Sequence, residues 1–240
     1  MTPDPHEALA FAERSRDLHT IEDLNAAAEC ILSDFGVTCF SANLISTPSR
    51  VVRPGILFGH QWQAWSRHYG CRRYHEVDPA LRMLRHMAMP FTWSEARDRY
   101  RSPEGAQVIR DCLDFTGCGE GLVVPVRERD GALLTAAFSG PRLETDPEAR
   151  ATLHLIGLYY VTRGRDLVNG VGFEPDCPLT QRQLDCLRWA HAGKTDDEIA
   201  VILGISRHTA HIHIEHAKQL LGSSKRSVAA FRAWCAGWLD

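Results

Sequence analysis

Trp65, Tyr69, Asp78 and Trp93, spaced by 4, 9 and 15 residues, are residues of this chain whose types could serve a single chemical site. Asp78 offers a carboxylate acceptor, Trp65 an indole N–H donor, and Tyr69 and Trp93 aromatic walls. An acceptor and a donor set among rings can hold a small molecule by hydrogen bonds. The same residues also have plainer readings. Asp78 stands directly before Pro79, the pattern of a helix N-cap with proline at the first helical position, and a tryptophan taken singly is commonly a core aromatic. No GxSxG elbow, P-loop, dinucleotide-type glycine fingerprint or HExxH occurs, so the motifs indicate no enzyme.

A second group of residues lies in the last quarter. Thr180-Gln181-Arg182-Gln183 and Thr195-Asp196-Asp197-Glu198 both have capping-box form and mark two helix starts. Ile199, Ala200 and Leu203 follow at helical spacing, Gly204 stops that helix, and Ser206 caps a third. Along the third helix Ala210, Ile214, Ala217 and Leu221 form one apolar face, opposite Arg207, His208, His211, Glu215 and Lys218. A short helix, a tight turn and a longer helix with one polar face can read a major groove. Ser206, Arg207, His208, Thr209, His211, Glu215 and Lys218, with Lys225 and Arg226 at the next helix start, are the residues placed to meet DNA. Glu215 can only accept from a base such as cytosine N4. His208, His211, His213 and His216 share the helix, but no cysteine or carboxylate completes a tetrahedral set, so no metal is expected. Residues 175–240 hold eight Lys plus Arg against seven Asp plus Glu, a net of only +1. One module should therefore grip DNA weakly, and two on one duplex are expected.

The elements that must position these residues divide the chain in two. It has 240 residues, 44% hydrophobic and 24% charged, ordinary for a soluble protein with one sizeable core and a small helical module. Gly170-Val171-Gly172-Phe173-Glu174-Pro175-Asp176-Cys177-Pro178 breaks any helix. The expected domains are residues 1–169, a linker at 170–178 and a helix-turn-helix domain at 179–240. In the first, helices are expected near Pro5–Leu18, Ile21–Phe35, Gln61–Tyr69, Pro79–Met87, Pro103–Phe115 and Pro147–Asn169. Strands are expected at Val37–Ile45, Gly121–Arg129 and Ala132–Ser139, the last two joined by a turn at Arg129-Asp130-Gly131. That order fits an α/β fold, an α/β/α sandwich followed by a small all-α domain. The run Arg97, Arg99, Arg101 reads as a solvated loop. No stretch approaches a membrane span and the N-terminus has no signal-peptide pattern. Eight cysteines without a CxxC pair read as reduced thiols, and the expected location is the cytoplasm.

The C-terminal residues also resemble a family. Leu179-Thr180-Gln181-Arg182, Leu187, Gly193-Lys194-Thr195, Glu198-Ile199-Ala200, Leu203-Gly204-Ile205-Ser206, Thr209, His213-Ile214 and Leu221-Gly222 are similar to the DNA-binding domain of LuxR-type regulators. The Trp65, Tyr69, Asp78-Pro79, Trp93 spacing, with Gly117, Gly121, Pro125 and Gly131, resembles the autoinducer-binding domain of the same family. The resemblance implies an N-acyl-homoserine lactone as ligand and no cofactor. Trp65 would donate to the lactone carbonyl, Asp78 would accept the amide N–H, Trp93 would pack the lactone ring and Tyr69 would line the wall. Gln61 stands where the family commonly has an aromatic, and Ala137, with Thr135 on its strand face, where relatives often have a hydroxyl. Ala42, Leu44 and Val124 would line the tail pocket. In the DNA-binding half, Gln183 replaces a usual glutamate, and His211 and Glu215 stand where basic residues are frequent. The implied function is a quorum-sensing transcription factor that binds a palindromic operator as a homodimer, with RNA polymerase a further candidate partner. The alternatives are a ligand-independent or non-lactone-sensing member and a phosphorylation-switched response regulator.

Overall fold

In a computed structural model the chain forms two compact units, and the residues described are 5–47, 54–128, 131–169 and 177–239. The larger unit opens with α1 (Pro5–Ser15) and α2 (Ile21–Leu32). The Thr20 hydroxyl caps α2 by accepting from the Asp23 amide at 3.1 Å. The strands β1 (Cys39–Ser46), β2 (Gly55–His60), β3 (Phe91–Thr92), β4 (Gly121–Arg127) and β5 (Leu133–Ser139) form one antiparallel sheet in the order β2-β1-β5-β4-β3. The turn before β5 lies partly outside the described residues, as Arg129 and Asp130 do. Gly131, at φ +79°, occupies the left-handed region that the turn reading requires of it. Most of the linker, residues 170–176, is likewise outside them.

Helices cover both faces of the sheet. On one face α7 (Pro147–Asn169) packs closely because Gly157 has no side chain. A Cβ there would meet Val124 and Ala136 at 3.1–3.2 Å. Tyr160 of α7 is fully buried between Phe40 and Phe58, at ring distances of 5.6 and 5.2 Å, and donates to Asn25 of α2 at 2.7 Å. On the other face lie α3 (Gln63–Cys71), α4 (Pro79–Leu84), α5 (Trp93–Arg99) and α6 (Pro103–Thr116).

Two expectations are corrected here. Arg97 and Arg99 belong to a helix, α5, rather than a loop. The Thr92 and Glu95 capping box starts it, with the Glu95 amide donating to Thr92 Oγ1 at 3.2 Å and the Thr92 amide to Glu95 Oε2 at 2.8 Å. Strand β2 was also unforeseen, since its two glycines and largely unburied residues carry no alternation.

The smaller unit is helical: α8 (Gln181–His191), α9 (Asp196–Leu203), α10 (Arg207–Leu220) and α11 (Arg226–Cys235). Capping boxes at Thr180 and Thr195 start α8 and α9, and Gly204 ends α9 at φ +65°. Ser206 caps α10 by accepting from the Thr209 amide at 3.0 Å. One cluster of Cys186, Ile199, Ala210 and Ile214 fixes α9 and α10 against α8; another, with Leu187, Ala217 and Ala230, holds α11.

Candidate functional site

Between the sheet and α3–α6 lies a cavity of about 330 Å³. It brings together Trp65 and Tyr69 of α3, Asp78 at the start of α4, Trp93 at the start of α5, Thr135 and Ala137 of β5, and Gln61. Asp78 turns out to be both the helix cap and a cavity residue. Its Oδ1 accepts from the Ala80 amide at 2.7 Å and its Oδ2 from the Tyr69 hydroxyl at 2.7 Å. Tyr69 therefore orients the carboxylate as well as lining the wall.

Burial pushes the Asp78 carboxyl above the ordinary carboxylate range, partly offset by Tyr69 and the backbone amides of Ala80 and Leu81. Burial and the neighbouring carboxylate together push the Tyr69 phenol well up, which keeps it a donor. A raised folded-state pKa means that Asp78 adds stability to the free protein at low pH and loses that contribution as pH rises through the pKa. A ligand N–H that donates to the carboxylate favours the ionised form. Ligand affinity should thus be flat near neutral pH and weaken as pH falls through the raised Asp78 pKa. Titration calorimetry across that range checks this; in Asp78→Asn the acid limb should vanish.

Trp65 sits in an aromatic cage. Its ring meets Tyr69 edge-on at 5.6 Å and Tyr74 at 6.2 Å. Behind it, His68 stacks on Phe115 at 4.5 Å, and Asp111 of α6 pairs with His68 Nε2 at 2.7 Å and accepts from the Tyr74 hydroxyl at 2.5 Å. Tyr74 and His68 hold the Asp111 carboxyl down at about 2, so it is charged at neutral pH and braces α3 against α6. Trp93 lies over Gly121 of β4, where a Cβ would fall 2.3 Å from its ring.

Strand parity overturns part of the expected tail pocket. Ala42 pairs with Ala136, and Ala136 with Val124, on the α7 face; Leu44 follows with Leu134. Ala42, Leu44 and Val124 therefore point away from the cavity, because side chains alternate across a strand. Their neighbours Asn43, Ile45 and Val123 line it instead. Ser41, on the same face of β1, accepts from Gln61 Nε2 at 2.5 Å and from Asn43 Nδ2 at 3.0 Å. His75 and Cys112 also line the cavity and were not foreseen. Burial pushes the Cys112 thiol up to about 12, so it serves as an unreactive wall.

In the smaller unit Arg207, His208 and His211 are exposed on α10, and Lys225 is exposed before α11. Arg207 Nε lies 3.4 Å from the Asp197 carboxylate, and several further DNA-facing candidates are engaged. Lys218 Nζ donates to both Glu215 oxygens at 2.7 and 2.8 Å, which holds that carboxyl below its ordinary range. Arg226 donates to Asp196 at 2.8 Å and to the Lys194 carbonyl at 2.6 Å, while His211 Nδ1 lies 2.9 Å from the other Asp196 oxygen. Asp196 thereby ties the start of α9 to both α10 and α11. Among the described residues no group of three or more His, Cys, Asp or Glu is placed to hold a metal ion, and no helix is long and apolar enough to cross a membrane.

Comparison with known proteins matches residues 20–163 to the autoinducer binding domain and residues 177–233 to the luxR family of bacterial regulatory proteins. The chain is 30% identical over 225 residues to the transcriptional activator protein BjaR1 of Bradyrhizobium diazoefficiens, covering 93% of this chain and 92% of that one. It is also 30% identical over 226 residues to the quorum sensing-dependent regulator RpaR of Rhodopseudomonas palustris, covering 91% of each. Among solved structures, Escherichia coli SdiA shares the fold with a TM-score of 0.77 at 20% identity, over 97% of this chain and 98% of that one. SdiA has also been solved in complex with octanoyl-rac-glycerol, there with a TM-score of 0.76 at 20% identity, over 95% of this chain and 93% of that one.

Proposed function

Because the chain belongs to the LuxR family of transcriptional regulators, with an autoinducer-binding domain ahead of its DNA-binding domain, we propose that it senses an N-acyl-homoserine lactone and acts as a homodimer on a palindromic operator. The observation that carries the reading is the Asp78 carboxylate, steered by Tyr69 in one cavity with Trp65 and Trp93. An acyl-homoserine lactone presents an amide donor, carbonyl acceptors and an apolar tail. Asp78 accepts the amide N–H, Trp65 donates to the lactone carbonyl, and Trp93 packs the ring. The ligand joins elements far apart in sequence, so it binds the folded unit and stabilises it.

The dimer follows from charge. With Lys218 paired to Glu215 and Arg226 to Asp196, few cations remain for phosphates, and two modules on a two-fold related site supply together what one lacks. Arg207, His208 and His211 are the base or phosphate readers, and RNA polymerase in the cytoplasm is the downstream partner. The autoinducer-binding match over residues 20–163 leaves a phosphoacceptor domain without support.

The test is thermal melting of the full chain with a panel of acyl- and aryl-homoserine lactones, repeated on Trp65→Phe. Ligand at about one hundred times its Kd should add roughly 2.7 kcal/mol, a rise of about 5–10 °C for a protein of this size. The rise should shrink in Trp65→Phe. A folded protein whose melting no lactone moves would instead be a ligand-independent regulator.

A further inference from the structure

We propose that the cavity selects an acyl group bearing a hydrogen-bonding oxygen beyond its own carbonyl, recognised by Asn43 with Ser41 and Gln61 behind it; this rests on the lactone reading above. Ser41 is wholly buried on the cavity face of β1. Its hydroxyl oxygen accepts twice, from Gln61 Nε2 and Asn43 Nδ2, at 2.5 and 3.0 Å. A hydroxyl has two acceptor positions and one proton, so these bonds fill the former and leave the Ser41 O–H to donate. The Gln61 carbonyl is also engaged, accepting from the Ser66 hydroxyl at 3.2 Å. These bonds orient both amides. With its nitrogen turned to the Ser41 hydroxyl at 3.0 Å and, in a longer contact of 3.5 Å, to the Ser41 carbonyl, Asn43 keeps its carbonyl oxygen and one weakly held N–H for the cavity it lines.

The place of this polar group in the sheet matters. Val123 of β4, Ala137 of β5 and Ser41 of β1 lie opposite one another across three adjacent strands. Trp93 lies over Gly121 of β4, whereas Asn43 is level with Thr135 and Pro125, so Asn43 is two strands across, roughly 10 Å, and four residues, roughly 13 Å, along the strands from it. A ligand with its ring on Trp93 directs its acyl group toward β1. Ile45, Leu84 and Val123 supply apolar wall beside it. A bare hydrocarbon chain would bury the Asn43 carbonyl oxygen without a partner and lose roughly ten-fold or more in affinity to a chain that offers an oxygen there. Keto, hydroxyl and phenolic oxygens share that chemistry.

The experiment measures binding of homoserine lactones in matched pairs to the full chain: unsubstituted, 3-oxo and 3-hydroxy acyl groups of equal length, and cinnamoyl against its para-hydroxy form. At least one oxygenated member should bind about ten-fold or more tightly than its bare counterpart, and which pair does so identifies the oxygen. Asn43→Leu should erase that preference, the two members of the pair then binding equally. Gln61→Leu, which removes one of the two donors that fix the Ser41 hydroxyl to which Asn43 is bonded, should reduce the preference and serves if Asn43→Leu does not fold. Equal binding within every pair, or a preference that survives in these variants, overturns the proposal while leaving the lactone reading intact. Binding of no lactone at all overturns the lactone reading, and this one with it.

Discussion

Asp78→Asn is expected to lower lactone affinity by roughly 10- to 100-fold, since a hydrogen bond to a charged acceptor contributes about 1.5–3 kcal/mol. The α4 cap should survive, because asparagine caps helices as well as aspartate does. The free variant should melt no lower than the wild type, for burial disfavours the Asp78 charge that the substitution removes. Asp78→Ala separates the two roles. It should lose the ligand response and also about 1 kcal/mol of stability with the cap. Calorimetry and melting on both variants check this. A normal response from Asp78→Asn would mean that the carboxylate is only a cap, the plainer reading of Asp78-Pro79.

The second large effect is expected at Gly121. A Cβ there would lie 2.3, 2.5 and 2.7 Å from three atoms of the Trp93 indole. The ring is the first residue of α5 and part of the cavity wall, so Gly121→Ala must displace the surface on which the lactone ring is proposed to rest. Overpacking of this kind costs about 1–3 kcal/mol. The ligand-induced rise in melting temperature should fall by more than half. Gly119→Ala is the control, because its Cβ would meet only Leu113 at 3.6 Å, an ordinary contact. A wild-type ligand response in Gly121→Ala would remove Trp93 placement from the binding account.

What could be read from sequence was what local chemistry dictates. The caps at Thr180, Thr195 and Ser206 and the stop at Gly204 are decided within four residues, and each stands where expected. The capping box at Thr92 and Glu95 obeys the same rule but was masked by the arginine run that follows. Strand β1 shows the opposite limit. Its residues are buried or half-buried on both faces up to Ile45, so no polar alternation tells inside from cavity, and Ala42 and Leu44 were assigned to the wrong face. The Ser41–Gln61 bond joins residues 20 apart, and the Asp111 brace reaches His68 from 43 residues away. Pairings of that range are settled by the fold, whereas the spacing of Trp65, Asp78 and Trp93 could be recognised only through a family resemblance.

The Glu215–Lys218 pair bears on how the regulator is distributed in a cell. Non-specific binding to chromosomal DNA comes almost wholly from neutralised phosphates, and a reading helix that cancels its own lysine has little to offer random sequence. A genome presents about a million or more such decoys, each competing for every molecule. A regulator that the decoys scarcely retain remains free to scan, so a small copy number suffices to occupy an operator. In the proposed homodimer, loss of the second module would also let it leave quickly.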